Sequence, residues 1–233
     1  MHPRLSNKNL RPDFQGEFTA SILAAAASPE LISFAGGLPN PVSFPVEAMD
    51  KAAHKVLEHN GVMALQYSGT QGYQPLREWI AKRYETMGVS GVQADDIIIT
   101  NGSQQVLTMM GACMLDPGDK VIVFSPFYEN YGADAILSGA EPIYVPLVPP
   151  DFHFDANVLE DAFRQHPKAI ILCNPSNPCG KVFTRAELET IADLAKKYDA
   201  YVITDEVYEH IVYAPYTHTY FASLPGMWER TIS

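Results

Sequence analysis

From residue 97 onwards the chain alternates short apolar runs with longer segments of helical periodicity. The run at residues 201–203 is typical, because it is β-prone and uncharged, as expected of a strand that is buried on both faces. Segments of helical length separate the runs, which indicates βαβ crossovers and a mostly parallel sheet with helices on both faces. We therefore predict an α/β fold with strands at residues 97–100, 120–124, 141–147, 168–173 and 201–203.

The first part of the chain has mainly helical signals. A polar arm followed by an alanine-rich helix accounts for residues 1–30. Residues 45–58 have helical periodicity that stops at Asn60 and the glycine after it. An amphipathic segment at residues 74–87 predicts a further helix, which Gly88 would end.

Composition narrows the class of protein. Apolar residues make up 47% of the 233 residues, which is enough for a sizeable core. The formal net charge of −11 argues against nucleic acid or an anionic membrane as a partner, since both require a basic face. No run approaches the length of a membrane span. The stretch at residues 19–28 is too short for a signal-peptide core, and acidic residues precede it.

Cysteine usage gives a prediction about the cellular compartment. The three cysteines, Cys113, Cys173 and Cys179, show no metal-ligand spacing beyond one loose pair. Their odd number, without a secretory context, is typical of reduced thiols. We therefore predict a soluble cytoplasmic protein that binds no metal.

Polar residues follow the predicted strands at positions where a ligand would bind. In an open parallel sheet, ligands bind outside the carboxyl ends of the strands. Asp205 follows the last predicted strand, and Tyr208 comes three residues later. A structural interpretation stands beside the functional one, since carboxylates at strand ends also cap helices and close turns.

Three other loops carry groups suited to a ligand. Gly102, Ser103 and Gln104 open a helix whose free amides and dipole favour a phosphate, although an ordinary serine N-cap also explains them. The ring of Tyr128 either covers a flat heterocycle or packs in the core. Asn177 lies between two prolines on a rigid turn, which can be purely structural. The chain has neither a P-loop pattern nor a dinucleotide-binding fingerprint.

Together these groups describe one ligand. A phosphate, a flat ring, a protonated ring nitrogen beside Asp205 and a ring oxygen near Tyr208 are the features of pyridoxal 5'-phosphate. An acid beside the ring nitrogen makes this cofactor an electron sink for carbanions. The joint occurrence favours the functional interpretation of each residue, so the sequence predicts a pyridoxal-phosphate site at the strand ends.

Two motifs make a family resemblance specific. Residues 174–180 (Asn-Pro-Ser-Asn-Pro-Cys-Gly) are followed by residues 204–208 (Thr-Asp-Glu-Val-Tyr), and residues 101–105 (Asn-Gly-Ser-Gln-Gln) strengthen the pair. In these motifs, and in their order along nearly the whole chain, the protein resembles a class I/II aminotransferase of the fold type I pyridoxal-phosphate-dependent superfamily. Cys179 stands where the family usually has threonine, which is a minor departure because the asparagine carries the contact.

The resemblance implies roles for individual residues. Asp205 would pair with the pyridinium nitrogen, and Asn177 and Tyr208 would contact the phenolic oxygen of the ring. The other implied contacts are Gly102, Ser103 and Gln104 with the phosphate, Tyr128 with the ring, Gly37 and Asn177 with the substrate, and Tyr67 with the phosphate of a neighbouring subunit.

The resemblance also implies an overall organisation. Residues 1–45 would be an N-terminal arm and small-domain segment, and residues 46–233 an incomplete pyridoxal-phosphate-binding large domain. The full-length protein would be a homodimer that acts on an amino acid and a 2-oxo acid.

The reaction of the family requires a lysine that forms a Schiff base. None of the nine lysines lies in the Ser-x-Ser-Lys pattern that the resemblance implies, and residues 230–233 look like the beginning of another strand. We therefore expect a fragment whose Schiff-base lysine lies beyond Ser233, and which alone is inactive and either poorly soluble or molten. In such a fragment, residues 97–100 would have no neighbour in the sheet.

Other functions share the visible cofactor residues. A C–S β-lyase or a decarboxylase of the same fold type is the second enzyme hypothesis, and a lyase would release ammonia and pyruvate. A cofactor-binding non-catalytic module is an alternative from a different class. It would be a lysine-free pseudo-enzyme or the aminotransferase-like domain of a MocR-type regulator, which carries a winged helix that the short N-terminal arm does not match.

Overall fold

The computed structural model describes residues 14–26, 30–32 and 37–233, so most of the predicted polar arm lies outside the described residues. The chain divides into two compact units between Thr70 and Gln71. The boundary predicted between residues 45 and 46 refers to a division into functional domains, and it stays a prediction. No helix in the described part of the chain is long and apolar enough to cross a bilayer.

The described part of the first unit contains two helices and a tight turn. Helix α1 spans Phe14–Ala26 and confirms the alanine-rich helix, and α2 spans Val46–Ala64. Asn40 begins a 3-10 turn, since its Oδ1 accepts a hydrogen bond from Val42 N at 3.1 Å. At Asn60, the predicted end of α2, the backbone leaves helical geometry (φ −135°), but helix continues after this kink.

A parallel five-stranded sheet with the order β2-β1-β3-β4-β5 forms the centre of the second unit. Its strands are β1 Lys120–Ser125, β2 Glu141–Pro146, β3 Ala169–Cys173, β4 Tyr201–Asp205 and β5 Thr231–Ile232. The helices are α3 Gln74–Thr86, α4 Ser103–Met114, α5 Asn130–Leu137, α6 Ala156–Phe163 and α7 Arg185–Lys197.

Apolar side chains pack on both faces of this sheet. Successive residues of a strand point to opposite faces, so an apolar strand such as β3 has to be covered twice. On one face Ile170 and Leu172 pack with α6 and α7. On the other face Ile171 and Cys173 pack with α4 and with Tyr131 of α5. The predicted α/β fold with helices on both faces is confirmed.

The start of α7 follows directly from the sequence pattern Thr-x-x-Glu. Thr184 Oγ1 accepts a hydrogen bond from Glu187 N at 3.3 Å, and the Glu187 carboxylate accepts one from Thr184 N at 2.8 Å. The pair satisfies amides that the first helical turn leaves without a partner. Glu187 also pairs with Lys181 at 2.8 Å, which links α7 to the loop after β3.

The predicted strand at residues 97–100 is wrong for this structure. The segment is extended at Ile97 (φ −116°, ψ 133°), and Ile99 N donates to Gln71 O at 2.9 Å, but no strand of the described residues pairs with it. Ile98 is 52% exposed. The segment is not a strand because a strand requires a hydrogen-bonded neighbour. The separate expectation that residues 97–100 have no neighbour in the sheet is confirmed. The strand predicted from residue 230 is also confirmed, because Thr231–Ile232 pairs with β4.

Candidate active site

The carboxyl ends of β1, β3 and β4 lie close together in the sheet. A cavity of about 370 Å³ lies near the end of β4, and α3, α4 and the loop after β4 also contribute to its wall. Ser103, at the start of α4, and Asp205, at the end of β4, both line this cavity. Two residues that the sequence assigns to opposite ends of one ligand therefore border the same space.

The Asp205 carboxylate is held by two hydrogen bonds. Its Oδ2 accepts from the hydroxyl of Tyr131 at 2.8 Å, and its Oδ1 accepts from Val207 N at 3.2 Å. The main chain is also fixed, since Asn174 N donates to Asp205 O at 2.9 Å. Burial, with the nearby Cys173 thiol and Asp205 carboxylate, raises the pKa of Tyr131, so the phenol keeps its proton and acts as a donor.

The N-terminus of α4 has the backbone geometry of an anion site. Gly102 precedes the helix with φ 75°, a value that glycine adopts without strain, and no side chain caps the first turn. The Gln104 side chain is already engaged, because its Nε2 donates to Asp134 Oδ2 at 2.8 Å. The groups suited to an anion here are the backbone amides of the first turn and the hydroxyl of Ser103, which begins the helix.

Tyr128 lies between the end of β1 and the start of α5. Its ring packs edge-on against Tyr131, with centroids 5.5 Å apart and planes at 78°. Its hydroxyl accepts a hydrogen bond from Asn130 Nδ2 at 2.8 Å. Burial, with the carboxylates of Glu129 and Asp205 among those nearby, raises the pKa of Tyr128. The ring is therefore held at the strand ends by contacts on its edge and at its hydroxyl.

The turn after β3 is held by its own backbone and by a thiol. Asn177 N donates to Cys173 Sγ at 3.3 Å, and Asn174 Oδ1 accepts from Phe183 N at 3.1 Å. Burial raises the pKa of the Cys173 thiol to about 11, so it stays protonated. Asn177 does not line the cavity of Asp205, but it lines a smaller one together with Tyr131 and Cys173.

The remaining predicted residues are placed individually. Tyr208 lies in the turn that follows Asp205, and its carbonyl accepts from Ile211 N at 2.8 Å. Tyr67 belongs to the first unit, and its side chain is 99% exposed. Gly37, in the same unit, has φ 59°, and no atom of the other described residues, apart from its chain neighbours, lies within 4 Å of an ideal Cβ position.

The sequence model of the family described as "Aminotransferase class I and II" matches residues 35–227. The chain belongs to this aminotransferase family. Its resemblance to class I/II aminotransferases is thereby confirmed. Members of the family are generally pyridoxal-phosphate dependent, act on amino and oxo acids and are typically dimeric.

Named relatives and solved structures agree with this assignment. Kynurenine–oxoglutarate transaminase 3 from Mus musculus is 37% identical over 221 residues, which cover 89% of this chain and 47% of that protein. A bifunctional aspartate and glutamate/aspartate-prephenate aminotransferase from Petunia hybrida is 38% identical over 170 residues, 72% of this chain and 36% of that protein. The chain thus spans about half or less of the length of these relatives.

The structural comparison gives the same result. YbdL from Escherichia coli, described as having a methionine aminotransferase function, superposes with a TM-score of 0.86 at 27% identity. Aspartate aminotransferase from Thermus thermophilus with maleate superposes with a TM-score of 0.85 at 29% identity. Each match covers 99% of this chain and 59% of the other.

Sequence reasoning missed three residues of this aminotransferase-family chain that contact the predicted site. Asn130, Tyr131 and Asp134 lie on α5 and hydrogen-bond to predicted cofactor residues. The only signal was the presence of polar groups on a helix that directly follows a strand end. Asn130, Tyr131 and Asp134 lie 26 to 74 residues from the groups they contact on α4 and β4, and local pattern does not reveal such pairs.

An ionic cluster of Arg83, Glu209 and Tyr220 also lines the cavity. Glu209 Oε1 lies 2.5 Å from Arg83 Nη2, and its Oε2 accepts from the Tyr220 hydroxyl at 2.5 Å. Burial alone raises the pKa of Glu209, but the hydrogen bonds from Tyr220 and Arg83 outweigh it and bring the pKa below the ordinary 4.5. Burial and the Glu209 carboxylate raise the pKa of Tyr220 to about 12.

This cluster predicts a loss of stability in acid. A carboxylate whose pKa is lower in the folded state stabilises that state above its ordinary pKa of 4.5, and the contribution is lost as pH falls through the folded value. Glu209→Gln should therefore lower the free energy of unfolding at pH 7 and reduce its fall below pH 4.5. Urea titrations across pH test this, with the exposed Glu85→Gln as control. Equal acid sensitivity of both variants would contradict the prediction.

Proposed function

We propose that the protein is a pyridoxal-phosphate-dependent amino acid:2-oxo acid aminotransferase. The observation that carries the proposal is the cavity shared by Ser103 and Asp205, in a chain of the aminotransferase family. A helix N-terminus without a side-chain cap suits a phosphate, and a carboxylate in the same cavity suits a protonated ring nitrogen. The residues present therefore fit the cofactor that the family generally uses.

Each candidate residue has its own task in the proposal. When bound, the cofactor supplies an electron sink for the bond broken at the α-carbon of the amino acid. Asp205 keeps the proton on the ring nitrogen, and Asn177 and Tyr208 bind the phenolic oxygen. The phosphate is bound by Gly102, Ser103 and Gln104, and the ring is covered by Tyr128.

The first unit supplies two further contacts in the proposal. Gly37 lies against the substrate carboxylate, for which its open Cβ position leaves space. Tyr67 reaches the phosphate of the neighbouring subunit in a homodimer, and the exposure of its side chain supports this role. We propose that residues 1–45 form an arm and small-domain segment and that residues 46–233 form a large domain.

The Schiff-base lysine is proposed to lie outside residues 1–233. No lysine is among the described residues that line the cavity. Lys181, which follows the Asn177 turn, is paired with Glu187 at 2.8 Å and covers the ring of Phe183. The relatives that this chain matches are about twice its length, so they have room for such a residue.

We also propose a cytoplasmic location. Cys113, Cys173 and Cys179 are all free thiols. Free thiols persist in a reducing compartment.

A labelling experiment tests the proposed activity. The protein expressed from its intact gene is incubated with ¹⁵N-labelled amino acids and 2-oxoglutarate, with and without pyridoxal 5'-phosphate. We expect ¹⁵N in newly formed glutamate only when the cofactor is present. Mass spectrometry of the amino acids, together with an ammonia assay, measures the fate of the label.

The other outcomes identify the alternatives. Release of ¹⁵N as ammonia would indicate a β-lyase, and loss of the amino-acid carboxyl carbon would indicate a decarboxylase. Binding of the cofactor without any turnover would favour the non-catalytic module. Failure to bind the cofactor would overturn the proposal.

A further inference from the structure

Helix α5 contacts the proposed cofactor residues at both ends of the site. It begins immediately after the loop that carries Tyr128. Three of its polar side chains each hydrogen-bond to a residue with a proposed cofactor contact: Asn130, Tyr131 and Asp134.

Tyr131 acts at the ring end of the site. Its side chain is 2% exposed, and its hydroxyl donates to Asp205 Oδ2 at 2.8 Å. With Val207 N on Oδ1, both carboxylate oxygens accept a hydrogen bond from the protein, so the plane of the carboxylate is set before any ligand binds. Burial raises the pKa of Tyr131, so the phenol keeps its proton and the negative charge stays on Asp205.

Asp134 acts at the phosphate end. It is a carboxylate with only 7% exposure, and a buried carboxylate is costly unless hydrogen bonds satisfy it. Both partners come from α4: Gln104 Nε2 donates to Oδ2 at 2.8 Å, and Thr108 Oγ1 donates to Oδ1 at 3.0 Å. Asp134 therefore holds the first turn of α4, where the amides for the phosphate lie.

Asn130 connects the phosphate end to the ring. Its Nδ2 donates to Gln104 Oε1 at 2.5 Å and to the Tyr128 hydroxyl at 2.8 Å. Gln104 thus has its side-chain oxygen on Asn130 and its nitrogen on Asp134, and both partners lie on α5. Both polar atoms of the Gln104 side chain are therefore engaged by α5, which leaves its backbone N–H for a ligand.

The position of α5 itself is closely determined. At Gly111 of α4 an added Cβ would collide with Ser138 Oγ and lie 3.4 Å from Asp134 O, so the two helices approach as closely as a glycine allows. Tyr131 and Ala135 are buried in the core on the α4 face of the sheet. A helix held in this way can transmit a fixed geometry to the residues it contacts.

We propose that α5 is the positioning element of the site, with Tyr131 setting Asp205 and with Asp134 and Asn130 setting the phosphate end and Tyr128. The inference rests on the proposed function. It assigns separate consequences to the two ends: Tyr131 governs the rate at which the bound cofactor reacts, and Asp134 governs how tightly the cofactor binds.

Tyr131→Phe tests the ring end. In the protein from the intact gene we expect kcat to fall about tenfold, as for loss of a hydrogen bond to a charged group, with little change in the KM of the amino acid. The matched control is Tyr198→Phe, because the Tyr198 hydroxyl also donates to a carboxylate, that of Glu160, at 3.0 Å. Tyr198 lies just before the amino end of β4, at the other end of the strand from Asp205. Adding Tyr131→Phe to Asp205→Asn should lower kcat no further, since the two residues act as one unit.

Asp134→Asn tests the phosphate end. We expect the dissociation constant of pyridoxal 5'-phosphate to rise about tenfold, measured by fluorescence titration of the cofactor-free protein, and turnover to recover at saturating cofactor. Asp119→Asn is the control. Among the described residues, the Asp119 carboxylate accepts a hydrogen bond only from a backbone amide, Asp116 N at 2.9 Å, and it lies before the amino end of β1. Urea unfolding of each variant shows whether the fold is retained.

The outcomes separate this inference from the proposed function. If Tyr131→Phe behaves as Tyr198→Phe, or if its effect adds to that of Asp205→Asn, the role of Tyr131 is refuted. Unchanged cofactor affinity in Asp134→Asn refutes the role of Asp134 even if the first variant does not fold. Failure of the unmodified protein to bind the cofactor overturns the proposed function, and the inference with it.

Discussion

Replacing Asp205 with asparagine should lower the rate of amino transfer by about 10²–10⁴-fold, the range for loss of a positioned acid–base group. Asparagine retains the size of aspartate, and its side-chain oxygen can still accept from Tyr131, so the fold is preserved. In the proposed function, the missing negative charge would leave the ring nitrogen without its proton, and the electron sink would be lost with that proton. Steady-state kinetics at saturating cofactor measure the effect.

The matched control for this prediction lies at the other end of β4. Asp199→Asn removes the same charge, and φ is 52° at this position, a conformation that asparagine tolerates. The exposed side chain of Asp199 pairs with Arg230, at 3.3 Å, and with no other residue in the described part of the chain. We expect activity close to that of the unmodified protein. Equal activity of the two variants would show that Asp205 has no part in the reaction.

Phe183→Ala should lower the free energy of unfolding by about 3–5 kcal/mol, the usual cost of removing a buried aromatic ring. Phe183 is 1% exposed and packs against Phe124 and Phe154, with ring centroids 5.4 and 6.3 Å away. Its backbone N also donates to Asn174 Oδ1, so the same residue anchors the turn that presents Asn177. A loss of this size is a large part of the stability of a typical domain.

Urea unfolding, followed by circular dichroism and tryptophan fluorescence, measures this loss. The control is Tyr213→Ala, since Tyr213 is 77% exposed and its truncation should change stability by no more than about 0.5 kcal/mol. A Phe183 variant as stable as this control would mean that the ring is not part of the cooperative core. Weaker cofactor binding by the folded fraction would in turn link the core to the Asn177 turn.

Local pattern was sufficient for much of the architecture. Apolar runs and capping signals predicted β1 to β4, the parallel arrangement and the start of α7, because burial of an uncharged run and satisfaction of first-turn amides depend on neighbours in sequence. The same pattern failed at residues 97–100. These residues have the composition of a buried strand, but a strand also needs a hydrogen-bonded neighbour, and no strand of the described residues supplies one.

The site shows the same division. The motifs around Ser103, Asn177 and Asp205 were recognisable in the sequence. Ser103 and Asp205 line one cavity, as expected, although residues 97–100 before Ser103 form no strand, and Asn177 does not line that cavity. The sequence by itself thus determined the fold class, the family and the candidate residues.

Only the tertiary structure decided what holds those residues in place. Tyr131 and Asp205 are separated by 74 positions, and Asp134 and Gln104 by 30, yet their side chains meet at 2.8 Å in both cases. Such contacts arise from the packing of α5 against α4 and the sheet. The periodicity of each segment specifies which face it buries, but the partner and the distance follow only when all the elements are packed together.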